Sequence, residues 1–146
     1  MTGRDFLVLA RRLEAMSDEA AWRSAVSRGY YAAFHAGREF LSNLRFRVPR
    51  SDRAHAYLWL RLQNCGDSRL RQTGQHLNDL RGRRNRADYD LHIPVTRAGA
   101  AQWVTDAEQI ILALEAAAVD RARSAAIQAE IIRYERDVLH DVTYHP

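Results

Sequence analysis

The 146-residue sequence has one cysteine, three prolines and no lysine, and it lacks long apolar runs. Because Cys65 is the only cysteine, no internal disulfide can form, and the chain fits a reducing compartment. The apolar runs at residues 6–10 and 110–119 are too short for a signal-peptide core or a membrane span. We therefore expect a soluble, cytoplasmic protein without membrane association, and at this length its core needs neither a disulfide nor a metal.

All 22 basic residues are arginine. A guanidinium can form paired hydrogen bonds with phosphate, but abundant arginine together with abundant alanine is also what GC-rich coding produces. The distribution is more informative than the total. Residues 23–86 hold fourteen arginines and four acids, a formal charge of +10, whereas the other residues hold eight arginines and fourteen acids, a formal charge of −6. The middle of the sequence is therefore basic enough to favour a polyanionic partner.

The spacing of apolar residues indicates helices throughout, and no alternating β-branched run indicates a strand. The sequence predicts helices over residues 2–16, 17–43, 51–65 and 68–91, and a long fifth helix over residues 97–139 with a kink near Asp120. Thr2 and Asp5 match a capping box at the first helix. Gly66 suits a left-handed residue just after the third helix. In the second helix, a stripe of apolar residues that includes Trp22 predicts a buried face.

Helices of this length joined by short loops favour an all-α fold, an up-and-down antiparallel bundle of four to five helices with a long C-terminal helix. We expect residues 1–146 to form a single domain. Its core would cover about residues 5–115, and a C-terminal helical extension and a short flexible tail would follow.

Two polar segments stand out from this helical background. SRGYYAAFHAGREFL, residues 27–41, lies on the second predicted helix, and LNDLRGRRNRADYDL, residues 77–91, ends the fourth. Their order and residue patterns, SRxYYAAFHA followed by RNxADYD, resemble those of the HEPN superfamily of small all-α domains in prokaryotic defence, toxin–antitoxin and RNA-processing systems. The resemblance covers roughly residues 5–115. It implies a helical bundle that forms a homodimer and places its motif arginines across a shared cleft.

The resemblance also implies a catalytic motif and shows where this chain departs from it. In HEPN nucleases an arginine, usually followed by a polar residue, precedes a histidine by four to six positions. Arg84 and Asn85 match the first two positions, but Tyr89 stands where the histidine is expected. A second alignment starts at Arg86 and reaches His92, but there the polar neighbour is lost. Neither alignment is complete, so both remain open.

Metal-independent cleavage of RNA by its own 2′-hydroxyl needs a group that accepts a proton and a cation that stabilises the phosphate. The resemblance assigns these roles to the catalytic candidates Arg84, Asn85, Tyr89 and His92, with no metal and no cofactor. An ordinary tyrosine is a poor base at neutral pH, whereas histidine titrates near neutrality. The substitution at Tyr89 therefore puts cleavage in doubt but leaves binding unaffected.

Further candidates for contact with nucleic acid or a nucleotide are Arg28, Tyr31, His35, Arg81, Arg83, Arg86 and Asp88. The first three are spaced three and four apart, so they share one face of the second helix. Plainer interpretations stay open. Tyr31 and His35 could simply pack at a helix junction, Arg84 and Asp88 could form an ordinary i,i+4 ion pair, and Tyr89 could dock its ring against the bundle.

The leading hypothesis is an effector of HEPN type that binds RNA or a nucleotide through a basic cleft and cleaves RNA as a metal-independent endoribonuclease toxin. The alternative is a non-catalytic HEPN subunit with a binding or regulatory role. The resemblance implies a minimal nucleotidyltransferase as the partner antitoxin, because many HEPN domains are encoded beside one.

Overall fold

The structure, a computed structural model, describes all 146 residues. It contains six helices and a short π-helical turn: α1 (Gly3–Glu14), α2 (Glu19–Asn43), α3 (Arg53–Gln63), α4 (Ser68–Tyr89), α5 (Arg97–Val119), α6 (Arg121–Tyr134) and the π-helical turn Glu135–Leu139. The all-α class predicted from the sequence is confirmed. None of the six helices combines the length and the apolar character needed to cross a lipid bilayer.

Local side-chain chemistry explains where several helices begin and end. At α1 the Thr2 amide donates to the Asp5 carboxylate at 2.6 Å, as in the predicted capping box. At α2 the Asp18 carboxylate accepts the Ala21 amide at 2.8 Å. Gly66, after α3, has a φ of +77°, the left-handed conformation that glycine adopts without strain. The predicted helix limits therefore hold to within a few residues.

The long C-terminal helix predicted over residues 97–139 is divided at Asp120. This residue has an extended backbone, with φ −92° and ψ 100°, and its carboxylate accepts the amide of Arg123 at 3.1 Å. An aspartate that caps the next helix in this way competes with continuation of the previous one. The helical path therefore consists of α5, α6 and the π-helical turn, so the number of helices is larger than predicted.

The chain forms two compact units, each built from two separate stretches of sequence. The first unit contains residues 1–36 and 76–111, and the second contains residues 37–75 and 112–146. Helices α2, α4 and α5 each contribute residues to both units. The single domain expected from the sequence stays a prediction.

Small residues allow close helix contacts in the first unit. A Cβ on Gly3 would lie only 2.5 Å from the carbonyl oxygen of Ala32, so α1 begins directly against the backbone of α2. The predicted buried stripe on α2 is also present: Val26 and Tyr30 are buried, and Val26 packs in a cluster with Ala87, Val95 and Ala100. The same packing fixes the C-terminal half of α4 beside α2.

In the second unit, a buried ion pair joins α3 to the π-helical turn. The Arg61 Nε donates to the Glu135 carboxylate at 2.7 Å, and the two side chains are 4% and 0% exposed. The Arg61 guanidinium also lies 3.5 Å from the centre of the Tyr57 ring. Burial raises the pKa of the Tyr57 hydroxyl. The ionised pair is tolerated inside the protein because each charge has close partners.

The C-terminal tail is hydrogen-bonded to this ion pair, and its flexibility stays a prediction. Thr143 donates its amide to the Glu135 carboxylate at 2.9 Å and its hydroxyl to the same carboxylate at 2.5 Å. The Tyr57 hydroxyl lies 2.5 Å from the Thr143 hydroxyl. Since the Thr143 proton points to the carboxylate, Tyr57 donates the other hydrogen bond. The tail is thus held by the buried charge of Glu135.

Candidate functional site

The motif arginine Arg84 lies inside the first unit and not on its surface. It is 8% exposed, and its guanidinium carbon lies 5.3 Å from the centre of the Tyr30 ring and 5.4 Å from that of Tyr31. Its Nη1 is 3.6 Å from the Asp88 carboxylate, a longer contact than a normal hydrogen bond. The buried Nε has no hydrogen-bond partner. Arg84 is therefore enclosed by aromatic rings and only weakly paired.

The adjacent tyrosines of α2 diverge, as the sequence predicted. Tyr30 is 1% exposed, whereas Tyr31 is partly exposed. Burial raises the pKa of Tyr30, although the positive charges of Arg81 and Arg84 act in the opposite direction. Tyr30 consequently stays a neutral phenol at any physiological pH. The Tyr30 ring lies on the inner side of Arg84, and the Tyr31 ring lies on the side that reaches solvent.

A second arginine lies near the same ring. The guanidinium carbon of Arg28 is 5.4 Å from the centre of Tyr31, the same distance as that of Arg84. The two cations therefore cannot be further apart than twice that distance. Asp88 is the only carboxylate that pairs with either of them. We call Arg28, Tyr31 and Arg84 the arginine–tyrosine cluster, and it carries more positive than negative charge.

His35, the third predicted member of this face, takes part mainly in packing. Its ring stacks on Phe6 of α1 with 5.3 Å between the ring centres and an angle of 17° between the planes. The Tyr31 ring centre lies 6.3 Å away. The shared face of Arg28, Tyr31 and His35 is confirmed, and His35 lies at the end where α1 meets α2.

An open groove of about 440 Å³ lies beside the cluster. Its lining comes from α1, α2 and α4: Leu9, Leu13, Ser24, Ser27, Arg28 and Asp88. The Asp88 carboxylate accepts a hydrogen bond from Ser27 at 3.3 Å. Asp88 thus links the wall of the groove to the buried guanidinium of Arg84.

Other motif residues face away from the cluster. Asn85 and Tyr89 lie one helical turn apart on the exposed side of α4, and the Tyr89 side chain, with the residue 73% exposed, does not dock against the helices. His92 is exposed in the turn that follows α4. The structure brings together Arg84, Asp88, Arg28 and Tyr31, but it does not place Asn85, Tyr89 or His92 in contact with them.

The turn that carries His92 is fixed by a residue that the sequence did not indicate. The Arg23 guanidinium donates to four backbone carbonyls at and beyond the end of α4, those of Ala87, Asp90, Leu91 and Ile93. It also donates to the Glu19 carboxylate at 2.8 Å. The only sequence signal for this arrangement is the i,i+4 spacing of Glu19 and Arg23. Arg23 caps the carbonyl end of α4 and thereby positions the segment after the motif.

The remaining predicted arginines lie along α4. Arg83 lies 5.2 Å from the Trp103 ring, beside a groove of about 210 Å³. Arg81 is partly buried with an unpaired Nε, and Arg86 is exposed. No carboxylate forms an ion pair with any of these three side chains or with Arg28. Arg83 and Arg86 are exposed, and the groove beside Arg83 also holds the carboxylates of Asp79 and Asp106.

The chain matches no protein-family model, no curated protein and no solved structure. Nowhere do three histidine, cysteine, aspartate or glutamate side chains gather so that they could hold a metal ion. The resemblance to HEPN proteins therefore depends on the two sequence segments and on the chemistry of the side chains that they bring together.

Proposed function

We propose that this protein is a HEPN-type effector that binds RNA or a nucleotide by its phosphate at the arginine–tyrosine cluster. The observation that carries the proposal is the placement of Arg28 and Arg84 at 5.4 Å from one tyrosine ring. The two guanidinium groups share one ring and have only Asp88 as a carboxylate partner, so a phosphate beside them would balance their charge. A guanidinium stacked on a ring still has its N–H edge available for phosphate oxygens.

The state of Arg84 supports a role beyond stability. A buried donor without a partner costs about 1–3 kcal/mol, so a structural arginine would normally have its Nε paired. Arg84 retains an unpaired Nε and a long contact to Asp88. Tyr31 is partly exposed, so the cluster reaches the surface, where a phosphate can approach it.

We further propose that two copies pair through the side of the first unit that carries the groove. Val8 and Leu9 of α1 are 51% and 41% exposed, and Leu9 lines the groove with Arg28 and Asp88. A second copy would cover these apolar side chains. Two-fold symmetry brings the same surface of both copies together, so the two positive clusters would lie on either side of one anion.

Sedimentation of the purified protein at micromolar concentration is expected to show a dimer. Leu9→Glu should give a folded monomer, because it places a charge in the proposed interface. Val119→Glu is the matched control, since Val119 is also an exposed apolar residue but lies in the second unit. A monomeric wild-type protein, or equal effects of the two substitutions, would contradict the proposed pairing.

Labelled RNA incubated with the protein in EDTA tests the function directly. We expect binding without a divalent metal, little change in binding for Tyr89→Phe, and none for His92→Ala, because neither side chain contacts the cluster. If His92 were the general base, His92→Ala would instead lower cleavage by about two to four orders of magnitude and leave binding intact. Wild-type protein that fails to bind RNA or a mononucleotide contradicts the proposed function.

The exposure of Tyr89 favours a second function, that of a non-catalytic HEPN subunit. The residue in the expected histidine position presents its hydroxyl to the surface, where a partner such as a nucleotidyltransferase antitoxin can reach it. RNA that is bound but stays intact in the EDTA experiment supports this subunit. RNA that is cut in EDTA supports the endoribonuclease toxin.

A further inference from the structure

A second concentration of positive charge lies in the second unit, between α2 and α3. Three arginines occur within six residues, Arg45, Arg47 and Arg50, and we call residues 45–50 the arginine loop. All three are exposed, and none forms an ion pair with a carboxylate. Arg53, the first residue of α3, is also exposed and unpaired, and the amino end of that helix adds partial positive charge.

Hydrogen bonds fix the conformation at the start of the arginine loop. The Phe46 amide donates to the carbonyl of Leu41 at 3.0 Å, and the Arg45 amide donates to that of Ser42 at 3.0 Å. These two bonds form a Schellman motif at the end of α2, in which the residue after the helix is left-handed. Arg45 is that residue, with a φ of +73°.

The C-terminal tail holds the other side of the arginine loop. The Arg47 amide donates to the Thr143 carbonyl at 3.0 Å, and the His145 amide donates to the Arg45 carbonyl at 2.9 Å. Between them Phe46 is 3% exposed, and its ring centre lies 5.7 Å from that of Tyr144. Because Phe46 is directed inward, the arginines on either side of it are both exposed.

The arginine loop is unfavourable for the stability of the isolated chain in two ways. An arginine at a left-handed position carries steric strain that a glycine would avoid. Neighbouring guanidinium groups without carboxylate partners also repel one another, and the three arginines lie within six residues. Strain and like charge in a segment held by backbone hydrogen bonds are typical of a binding surface.

We infer that the arginine loop is a second nucleic-acid contact, one that binds the sugar–phosphate backbone of single-stranded RNA. Exposed guanidinium groups without a pocket recognise phosphates and not base edges, so binding here should be independent of sequence. The identity of the polyanion as RNA rests on the proposed function, whereas the charge of the loop and its backbone hydrogen bonds do not. The loop would add general affinity to the recognition provided by the arginine–tyrosine cluster.

The test measures binding of a fluorescent 20-nucleotide oligouridine as a function of salt concentration. Arg45→Gly is the most informative change, because it removes a charge and relieves strain. It should raise the melting temperature by about 2–4 °C while weakening binding several-fold. The salt slope is the slope of the logarithm of the binding constant against the logarithm of the salt concentration. A triple variant, Arg45→Gly, Arg47→Gln and Arg50→Gln, should reduce its magnitude by about 2, since each phosphate contact on single strands contributes about 0.7.

Arg121→Gln is the matched control. Arg121 is also an exposed arginine of the second unit without an ion pair, but it lies on α6. Its binding and salt slope should equal those of the wild type. An unchanged slope in the triple variant, or an equal loss in Arg121→Gln, would overturn the inference.

Mononucleotide binding separates this inference from the proposed function. Loop variants that lose oligouridine but still bind a mononucleotide support both. Oligouridine binding that depends on the arginine loop and not on Arg28 or Arg84 supports the inference and contradicts the proposed function. Oligouridine binding that depends only on Arg28 and Arg84 supports the proposed function and contradicts the inference. A wild-type protein that binds neither ligand contradicts both.

Discussion

Glu135→Ala is expected to lower the free energy of unfolding by about 3–5 kcal/mol, the usual cost of removing one partner of a buried ion pair. The change would leave the Arg61 guanidinium buried at 4% exposure without its carboxylate. It would also remove the acceptor of the Thr143 amide and hydroxyl, which hold the tail. The destabilisation should therefore be accompanied by faster proteolysis of the C-terminal tail.

Urea unfolding followed by circular dichroism measures this effect. Glu130→Ala is the control, because Glu130 pairs with Arg133 on the exposed surface of α6, and its loss should change the free energy by about half a kcal/mol or less. In Arg61→Met/Glu135→Leu both charges are replaced by apolar groups, and stability should largely return. A loss below about 1 kcal/mol for Glu135→Ala would show that the buried pair contributes little.

Arg84→Ala is expected to reduce nucleotide or RNA binding by at least about tenfold, the equivalent of one charge-assisted contact. The substitution should also affect stability, because Arg84 is enclosed by Tyr30 and Tyr31. Loss of two partly desolvated cation–π contacts should lower the free energy of unfolding by about 1–2 kcal/mol. Removal of the buried, unpaired Nε offsets part of this loss, because an unpaired buried donor is unfavourable.

Arg84→Lys separates the two effects in titration calorimetry and thermal melting. Lysine keeps the charge but cannot stack as a planar group, so we expect partial binding and a similar loss of stability. Arg12→Ala is the control, since Arg12 is exposed on α1 of the same unit and forms no ion pair. Binding that is unchanged in Arg84→Ala would assign this arginine a purely structural role.

The helices could be predicted because their signals are local. Thr2 and Asp5, which form the capping box, are three residues apart. Gly66 indicates the end of a helix because glycine adopts the left-handed conformation without any partner. The sequence predicted a kink near Asp120 but not a complete break, because capping by aspartate and continuation of an apolar helix are both compatible with the sequence there. Only the extended backbone of Asp120 distinguishes them.

The site was predicted in part for the same reason. The spacing of Arg28, Tyr31 and His35 defines a helix face without reference to the rest of the chain. By contrast, the contacts of Arg23 with the end of α4 join residues 64 to 70 positions apart. The pairing of the tail likewise depends on partners distant in sequence. Such contacts leave no periodic pattern, so sequence reasoning could not find them.

The position of Cys65 gives the second unit an internal reporter of its own opening. The thiol is 1% exposed, and burial raises its pKa. Alkylating reagents react with thiolates that they can reach. The folded state therefore protects this side chain in two ways, because the thiol is buried and because its raised pKa keeps it protonated. The rate at which iodoacetamide modifies Cys65 therefore measures how often this part of the chain opens, and with a single thiol in the sequence the signal has only one source.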